Sequence, residues 1–442
     1  MNGKSIPKVT LIEFLINARA IVKNPLPFHH RNFAEKGDVF GLSLGFNKEV
    51  FFVRDAQLAE YILQKNQKNY TKSKIQTKDL AKYIGRGLLT AEGNHWRRQR
   101  KLIQPAFHKK QLKGLLEKIR VAILEEYTRI QVEKEIDVFP IFNDLAFQTV
   151  VKALFSSAAS KEDVKRLQFI TEAAQKMLVR ELRQPYLVWW FTASGTIESY
   201  LELTREARQI LKRIVAQRRQ CAKTHDDLLD MLLTSRYDDG GVMPENQLID
   251  EILILFSAGH ETTSNALCFT LQLLALHPQW QERIYEEWET TSALKDDLMA
   301  RVMALKICTQ VIEEAMRLYP PAYFIDRLNI EDDSFEGMRF KAGSNLLLSV
   351  IEIHRHPDLW DRPNTFMPER FEGGSRKFSS QYFPFGAGPR KCIGNNFAMF
   401  EMIIAISELV SKYKISPKFE EIEITPLISL KPNNAVLQFE KR

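Results

Sequence analysis

Cys392 is the side chain in this sequence whose surroundings point most directly to chemistry. It follows a glycine-rich stretch, and the residues after it place Met399, Ile403, Ile406 and Val410 at helical spacing. The cysteine therefore stands just before a predicted helix, where backbone N–H groups and the positive helix end favour a thiolate over a thiol. Because the thiolate is the form that attacks electrophiles and binds metals, we expect Cys392 to be a nucleophile or a metal ligand.

The residues around Cys392 suit a flat, charged partner. Gly386, Gly388 and Gly394 let the backbone turn sharply and approach such a partner closely. Arg390 could place its guanidinium on a carboxylate of that partner. Phe385 could pack against the loop that carries the cysteine.

Five residues stand here at the spacing F-x-x-G-x-R-x-C-x-G, which resembles the haem-binding loop of the cytochrome P450 family. The matching residues are Phe385, Gly388, Arg390, Cys392 and Gly394. The resemblance implies that Cys392 is the proximal thiolate ligand of a haem iron, with Arg390, Phe385, Gly386 and Gly394 beside the haem. In such a site the thiolate pushes electron density onto the iron.

A long helix is predicted upstream, over residues 248–276. It would contain about 29 residues and measure roughly 43 Å. Its ends are apolar, but the middle, residues 257–265, is too polar for a membrane span, and polar groups inside a buried helix need partners or a function. The middle resembles the family's A-G-x-[DE]-T-[TS] segment at Ala258, Gly259, Glu261, Thr262 and Thr263.

That second resemblance implies a role for each matching residue. Ala258 would leave room over the haem, Thr262 would be the alcohol of an acid–alcohol pair, and Glu261 would relay protons from solvent. A Thr hydroxyl can also bond to a carbonyl one helical turn back. His260 does not belong to the match, and we expect it to be structural or solvent-facing.

A third window supports the same family. Glu314 and Arg317 lie three apart on a predicted helix that ends at two prolines, and they resemble the family's E-x-x-R helix. Downstream, residues 366–371 resemble the P-E-R-F segment, which adds Arg370 to a buried charged triad. The triad would support folding and the haem loop rather than chemistry. The alternative is a solvated ion pair between Glu314 and Arg317.

Two further positions resemble haem-propionate contacts of the family. Trp96 and Arg100 have the spacing W-x-x-x-R, which places both on one face of a helix. Arg327 resembles another propionate-binding position. The neighbours of this pair, Arg97, Arg98 and Lys101, would be solvated or form part of a basic docking surface.

Composition narrows the class of protein. The 442 residues carry a formal net charge of +7, which fits nucleic acid, a membrane surface or an acidic protein partner. No zinc-finger spacing or RNA-binding signature is present, so we do not expect nucleic acid as a partner. The apolar stretch 11–22 contains Glu13, Asn17 and Arg19, so it predicts a surface helix rather than a transmembrane anchor.

The cysteines indicate a reducing compartment. They are far apart and form no C-x-x-C pair, which argues against a disulfide framework or structural zinc. A buried structural role is the usual one for a free cysteine. It is expected of Cys221, Cys268 and Cys308.

The resemblance implies a mainly α fold with a smaller β-rich lobe: the cytochrome P450 fold, with haem buried between a long central helix and the cysteine-loop helix. We expect one catalytic domain over residues 1–442. Its β-rich lobe is mainly 38–60, 328–352 and 415–442, and its α-rich lobe is mainly 61–320 and 395–412. Strands are predicted at 39–44 and 49–53, joined by a turn at 45–48, and at 346–351 and 435–439.

The activity implied is that of a soluble, cytoplasmic, bacterial-type haem-thiolate monooxygenase, acting as a monomer. It would hold haem b and use O2, with electrons from NAD(P)H through a separate ferredoxin or flavodoxin and its reductase. It would hydroxylate a small organic substrate, or O-dealkylate it after hydroxylation. The alternatives are a peroxide-driven peroxygenase and a non-catalytic haem-binding sensor, and the Glu261–Thr262 pair argues against both.

Family topology places the substrate pocket at residues 82–89, 256–262, 322–325 and 427–430. The candidate lining residues are Tyr83, Arg86, Leu88, Phe256, Tyr323, Phe324 and Ile428. They are mostly apolar, which favours an aliphatic or lipid-like substrate. Two tyrosines and an arginine among them could instead bind a carboxylate or hydroxyls, so a polar molecule such as a methyl ether of a sugar stays open. The run 186–191 is expected to be an apolar lip over the entrance or a buried helix end.

Overall fold

The computed structural model describes residues 4–43, 49–156, 159–221 and 224–442. The helices are, in chain order, α1 (Leu11–Lys23), α2 (Leu26–Lys36), α3 (Ala56–Glu60), α4 (Ala81–Ile84), α5 (Gly93–Ile103), α6 (Lys109–Leu112), α7 (Leu116–Tyr127), α8 (Phe139–Phe155), α9 (Lys161–Arg183), α10 (Val188–Ala193), α11 (Thr196–Gln220), α12 (Leu228–Thr234), α13 (Glu245–Leu276), α14 (Pro278–Thr290), α15 (Leu298–Ala304), α16 (Lys306–Leu318), α17 (Val350–Ile353) and α18 (Asn395–Val410).

The strands are shorter and fewer. They are β1 (Lys8–Val9), β2 (Val39–Ser43), β3 (Glu49–Val53), β4 (Tyr70–Thr71), β5 (Glu135–Asp137), β6 (Phe324–Asn329), β7 (Asp333–Phe335), β8 (Met338–Phe340), β9 (Asn345–Ser349), β10 (Tyr413–Pro417), β11 (Ile424–Pro426), β12 (Leu430–Pro432) and β13 (Val436–Lys441). The predicted fold class, mainly α with a smaller β portion, is confirmed.

The chain forms two compact units. The first comprises Met1–Ser73, Thr309–Cys392 and Glu421–Asn434, and the second comprises Lys74–Cys308, Ile393–Glu420 and Ala435–Arg442. The assignment of the whole chain to one catalytic domain stays a prediction. The sheets are divided between the units, so each unit is described by itself below.

The first unit is built on a six-stranded sheet in the order β1-β2-β3-β9-β6-β4. Its centre is apolar: Phe40 stacks on Phe52 with ring centroids 4.8 Å apart, and Phe33 meets Phe40 edge-to-face at 4.9 Å. Aromatic pairs of this kind add to the stabilisation that burial already gives. The sheet therefore provides a rigid base for the loops that follow its strands.

The predicted strands of this unit are largely confirmed. Strands β2 and β3 pair antiparallel as expected, and the predicted turn at 45–48 lies outside the described residues. The strand predicted at 346–351 ends at Ser349, because Val350 begins the short helix α17. Helix α1 is capped by Thr10 and Glu13 and buries no residue, so the predicted surface helix is confirmed.

The second unit is centred on α13, which contains 32 residues and starts three residues before the predicted helix. Its apolar residues pack against α8, where Phe256 stacks on Phe147 at 5.4 Å. Helix α18 is almost wholly buried in the same unit. Across the described ranges, every helix falls short of the length or the apolarity that crossing a bilayer requires.

The C-terminal strand also belongs to the second unit. It begins at Val436, one residue after the predicted start, and continues to Lys441. There it forms the centre of a three-stranded sheet in the order β10-β13-β5.

Candidate functional site

The loop that carries Cys392 lies in the first unit and is fixed by its own backbone. The Cys392 N–H donates to the carbonyl oxygen of Phe385 at 2.9 Å, and the Lys391 N–H donates to Gly388 at 3.0 Å. The N–H of Gly386 donates to Phe383 at 2.9 Å. Cys392 is an exposed residue, so this part of the loop is accessible.

Two glycines make the loop conformation attainable. Gly386 has a φ of +68° and Gly388 a φ of +66°, values that L-residues rarely adopt. A Cβ atom on Gly388 would lie 1.9 Å from the carbonyl oxygen of Leu63. Gly388 therefore allows a close approach of the loop to the protein backbone, and the approach of the loop glycines to a flat partner stays a prediction.

The chain continues from Cys392 into α18 through Gly394, which is the N-cap of that helix. As predicted from the helical spacing, the cysteine stands directly before a helix start, which favours a thiolate. Arg390 is partly buried on the same loop. Arg327, the other predicted propionate contact of the first unit, is buried on β6 and donates to the carbonyl oxygen of Asp326 at 2.7 Å.

The three charged side chains of the predicted triad meet in the first unit. Arg317 donates to both carboxylate oxygens of Glu314, at 2.6 and 2.7 Å, and Arg370 donates to Glu314 at 3.3 Å. The side chains of Glu314 and Arg317 are fully buried, which excludes the alternative of a solvated ion pair. The Met367 N–H adds a further donor to Glu314 at 2.9 Å.

His354 connects this triad to the cysteine loop and was missed by the sequence reasoning. Its carbonyl oxygen accepts from Arg317 at 2.7 Å, and its ring Nε2 accepts from the Phe383 N–H at 2.8 Å. Burial, followed by the nearby Arg317 guanidinium, lowers the pKa of His354 to about 3, so the ring is neutral and can accept. No spacing signal in the sequence marks this histidine, because its partners are the triad and a distant loop.

The centre of α13, in the second unit, presents small and polar residues. Thr262 donates its hydroxyl to the carbonyl oxygen of Ala258 at 2.8 Å, one turn back, as expected of a threonine in a helix. Ala258 is exposed and Glu261 and Thr262 are partly so, whereas Ser257 and Thr263 are buried. Ala258, Glu261 and Thr262 therefore share one accessible side of the helix, and the matching Thr263 lies on its buried side.

His260 lies on the buried side of α13. Its ring meets Phe147 edge-to-face at 5.3 Å, and burial lowers its pKa to about 4, so it is neutral. The solvent-facing alternative for His260 was wrong, and a structural role fits. Gly259 is a packing glycine, since a Cβ atom there would lie 3.1 Å from Val150.

Helix α5 carries the predicted W-x-x-x-R pair. Trp96 is buried, and Arg100 donates to Gln104 at 3.0 Å. The neighbouring Arg98 and Lys101 were expected to be solvated or available for docking. Both side chains are exposed, as expected, and they also pair with Asp239 and Asp238, at 2.6 and 2.7 Å.

Several candidate pocket residues are already engaged within the protein. The Tyr83 hydroxyl donates to Glu181, and that of Tyr323 donates to the carbonyl oxygen of Leu427 at 2.8 Å. Phe256 is fully buried between rings of α8, which contradicts its pocket role. The donor hydrogens of both hydroxyls are therefore engaged within the protein, and binding of a polar substrate by these tyrosines and Arg86 stays a prediction.

The other pocket candidates keep an apolar or peripheral character. Leu88 is largely buried, whereas the side chains of Arg86 and Ile428 are exposed. Phe324 packs edge-to-face on Tyr323 with centroids 5.2 Å apart. In the run 186–191 Trp189 is 67% exposed, so a buried helix end is wrong for most of this run and an exposed apolar surface is found.

Glu251 on α13 holds the segment around Leu88 and was also missed. It accepts from the Leu88 N–H at 3.0 Å and from Gln247 at 2.9 Å. A Cβ atom on Gly87 would lie 2.5 Å from its carboxylate. Burial raises the pKa of Glu251 to about 7. In the sequence, the two closely spaced glycines at 85 and 87 were the only available sign of a close contact here. In the structure, each of them faces a carboxylate of α13.

The donor set fits a haem better than a metal ion held by protein alone. Across the described ranges, no three or more His, Cys, Asp or Glu side chains gather where they could hold a metal ion. A porphyrin supplies four nitrogen ligands itself, so the protein needs to add one strong axial ligand. Cys392, exposed on a loop before a helix, has the chemistry of such a ligand.

Comparison with known proteins agrees with this chemistry. The sequence model of the family described as Cytochrome P450 matches residues 7–439. The chain is 31% identical over 423 residues to "Cytochrome P450 CYP72A613" of Trigonella foenum-graecum, covering 90% of this chain and 79% of that protein.

Two further relatives have names that state an activity. The "11-oxo-beta-amyrin 30-oxidase" of Medicago truncatula is 31% identical over 82% of this chain and 73% of its own length. The "Pentalenene oxygenase" of Streptomyces avermitilis is 29% identical over 75% of this chain and 74% of its own length. With the family match spanning nearly every residue, this chain belongs to the cytochrome P450 family and is an oxidoreductase of the monooxygenase type.

Proposed function

We propose that this protein is a haem-thiolate monooxygenase that hydroxylates, or O-dealkylates after hydroxylation, a small and mainly apolar organic substrate. Haem b would be held through Cys392, and electrons from NAD(P)H would come through a separate ferredoxin or flavodoxin and its reductase. The observation that carries the proposal is the exposed Cys392 on a loop fixed by the Phe385 carbonyl and by Gly388. When bound, the haem would supply the activation of dioxygen.

Residues of α13 would move the protons that this reaction needs. Glu261 and Thr262 are both partly exposed on the accessible side of the helix. The Thr262 hydroxyl donates its hydrogen to the carbonyl oxygen of Ala258. Its own oxygen can therefore accept a hydrogen bond from a group bound at the accessible side of α13. This acid–alcohol pair favours monooxygenation over a peroxygenase or a sensor.

The contacts of the polar side chains among the predicted pocket residues support an apolar substrate. Tyr83 and Tyr323 both donate their hydroxyl hydrogens to oxygen atoms of the protein. The two relatives with stated activities are named for different compounds, so neither name selects a substrate here.

The compartment and oligomeric state belong to the same proposal. The cysteines within the described residues are not joined in disulfides, which suits a reducing cytoplasm. The +7 net charge suits an acidic electron donor. We propose that the protein acts as a cytoplasmic monomer that meets its donor transiently.

The ligand assignment is tested by the spectrum of the reduced protein with carbon monoxide. The wild type should show the red-shifted Soret band of a thiolate complex, and Cys392→Ala should lose it. Cys221→Ala is the matched control, because Cys221 is also exposed but lies outside the motif. A band typical of histidine ligation in fresh wild-type protein would overturn the proposal.

The proton-delivery assignment has its own control on the same helix. Thr262→Ala should keep the carbon monoxide spectrum but lower the fraction of electrons recovered in product, because a proton-transfer group is lost. Thr270 makes the same bond to a carbonyl one turn back, at 2.7 Å, outside the motif. Thr270→Ala should leave the fraction unchanged. Full turnover with peroxide alone, and none with a ferredoxin system, would favour a peroxygenase.

A further inference from the structure

The segment Gly93–Lys113 concentrates positive charge on the second unit. It contains seven Lys and Arg residues and no Asp or Glu. The formal charge of this segment is therefore as large as the +7 net charge of the whole chain. The seven are Arg97, Arg98, Arg100, Lys101, Lys109, Lys110 and Lys113. All except Arg100 are exposed, and we call this set the basic surface.

A turn from a distant part of the same unit covers part of the basic surface. Asp239 accepts from Arg98 at 2.6 Å, and Asp238 accepts from Lys101 at 2.7 Å. The turn is closed by the Tyr237 N–H, which donates to the carbonyl oxygen of Gly241 at 2.9 Å. We call the segment 237–241 the acidic turn.

The acidic turn is held in place by Tyr237 rather than by its acids. The Tyr237 ring is buried, and its hydroxyl accepts from Gln99 at 2.8 Å. The Arg98 guanidinium lies 3.9 Å from the centre of that ring. The side chains of Asp238 and Asp239 are 78% and 61% exposed, and ion pairs in such positions are weak and screened by salt.

The basic surface is therefore divided into neutralised and available parts. Arg98 and Lys101 face the acidic turn, and Lys113 pairs with Asp297 at 3.0 Å. Arg97 and Lys109 have neutral contacts instead, with the Asn94 amide oxygen at 3.3 Å and the Met303 sulfur at 3.9 Å. An acidic protein that bound the whole surface would have to displace Asp238 and Asp239 from their cations.

We propose that the acidic turn is an intramolecular competitor for an acidic electron-donor protein that docks on the basic surface. This inference rests on the proposed function, which requires a separate donor. The two carboxylates of the acidic turn occupy cations that the donor's carboxylates would bind. They therefore lower the affinity of the donor for the basic surface and speed its release after electron transfer. Because Tyr237 fixes the turn, the competitor stays close to the surface even when its ion pairs open.

The test uses the haem-loaded protein and an acidic plant-type [2Fe–2S] ferredoxin. The double variant Asp238→Asn and Asp239→Asn removes both charges but keeps side-chain size and the Tyr237 anchor. At low ionic strength it should bind the reduced ferredoxin about three- to tenfold more tightly and accept its first electron correspondingly faster below saturation. The gain should shrink as salt is added, because salt screens exposed charges.

The matched control changes the net charge equally at another place. Glu198 and Glu202 lie on α11 in the same unit, are comparably exposed, and pair with Arg205. The variant Glu198→Gln and Glu202→Gln should change ferredoxin affinity much less than the acidic-turn variant. Urea unfolding of both variants checks that neither has lost stability.

The outcomes separate this inference from the proposed function. If the acidic-turn variant matches the control, or binds ferredoxin more weakly than the wild type, the competitor role is overturned while the donor class stands. If neither the wild type nor the variant binds or is reduced by the ferredoxin at any salt concentration, the donor class is overturned and the competitor role with it. Tighter binding confined to the acidic-turn variant supports the inference.

Discussion

Gly388 of the cysteine loop lies so close to Leu63 that a Cβ atom at position 388 would be 1.9 Å from the Leu63 carbonyl oxygen and 3.0 Å from its carbon. Neither atom can move away easily, since both belong to the backbone. Three residues of chain separate Gly388 from Cys392, and the Lys391 N–H bonds back to Gly388. The position of the cysteine therefore depends on this contact.

Replacing Gly388 with Ala should displace the cysteine loop and sharply reduce haem incorporation. Gly343→Ala is the control, because Gly343 has a similar φ of +79° but open space around it. The control should lose only about 1–2 kcal/mol of stability for its left-handed backbone and keep its haem. Haem content per protein and the carbon monoxide spectrum measure the difference. Full haem content in Gly388→Ala would contradict the role of this contact.

Replacing Arg317 with Leu should lower the free energy of unfolding by about 3–5 kcal/mol. The buried Glu314 carboxylate would lose the guanidinium that pairs with both of its oxygens, so its charge would be only partly balanced. The carbonyl oxygens of His354 and Pro363 also lose their donor. Urea unfolding followed by far-UV circular dichroism measures the loss. Arg205→Ala, which breaks two exposed ion pairs, should change stability by less than about 1 kcal/mol. Equal losses in the two variants would contradict a buried, structurally costly triad.

Replacing Glu401 with Gln should remove a pH dependence of stability. Glu401 is buried on α18 with Thr149 as its hydrogen-bond donor at 2.5 Å, and burial raises its pKa from 4.5 to about 8. Between these two values the folded protein binds more protons than the unfolded chain, so this group's stabilisation is complete below pH 4.5 and is lost as the pH rises to about 8.

The stability of Glu401→Gln relative to the wild type should therefore increase from pH 4.5 to about 8 and level off above that. Urea unfolding at several pH values gives this difference directly. Glu202→Gln, a change at an exposed position, should show little change across the same range. A pH-independent difference for Glu401→Gln would mean that Glu401 ionises normally in the folded protein.

Replacing Glu251 with Ala should loosen the segment around Leu88. The Leu88 N–H would lose its acceptor, so its amide hydrogen should exchange about tenfold faster or more, since a hydrogen bond to a charged group contributes roughly 1.5–3 kcal/mol. Hydrogen exchange with mass spectrometry resolves this region. Glu245→Ala, on the same helix but paired with Arg219 near the surface, should leave that exchange unchanged. Unchanged exchange in Glu251→Ala would show that other contacts hold the segment.

The sequence by itself determined the features that depend on spacing along the chain. The cysteine loop, the E-x-x-R helix and the threonine one turn after Ala258 each occupy a few consecutive residues. Helical periodicity and covalent length decide which of those side chains share a face or a turn. For the same reason α13 could be predicted to within three residues, and α1 could be predicted as a surface helix.

Only the tertiary structure decided which distant groups meet. Tyr83 and Glu181 are 98 positions apart, and Leu88 and Glu251 are 163 apart, so no local pattern could show that these polar groups are already satisfied. Local patterns likewise could not show that His354 binds the backbone next to the cysteine loop, or that the acidic turn pairs with α5. Chain packing brings these groups together, because a buried or charged group must find its partner wherever the fold supplies one.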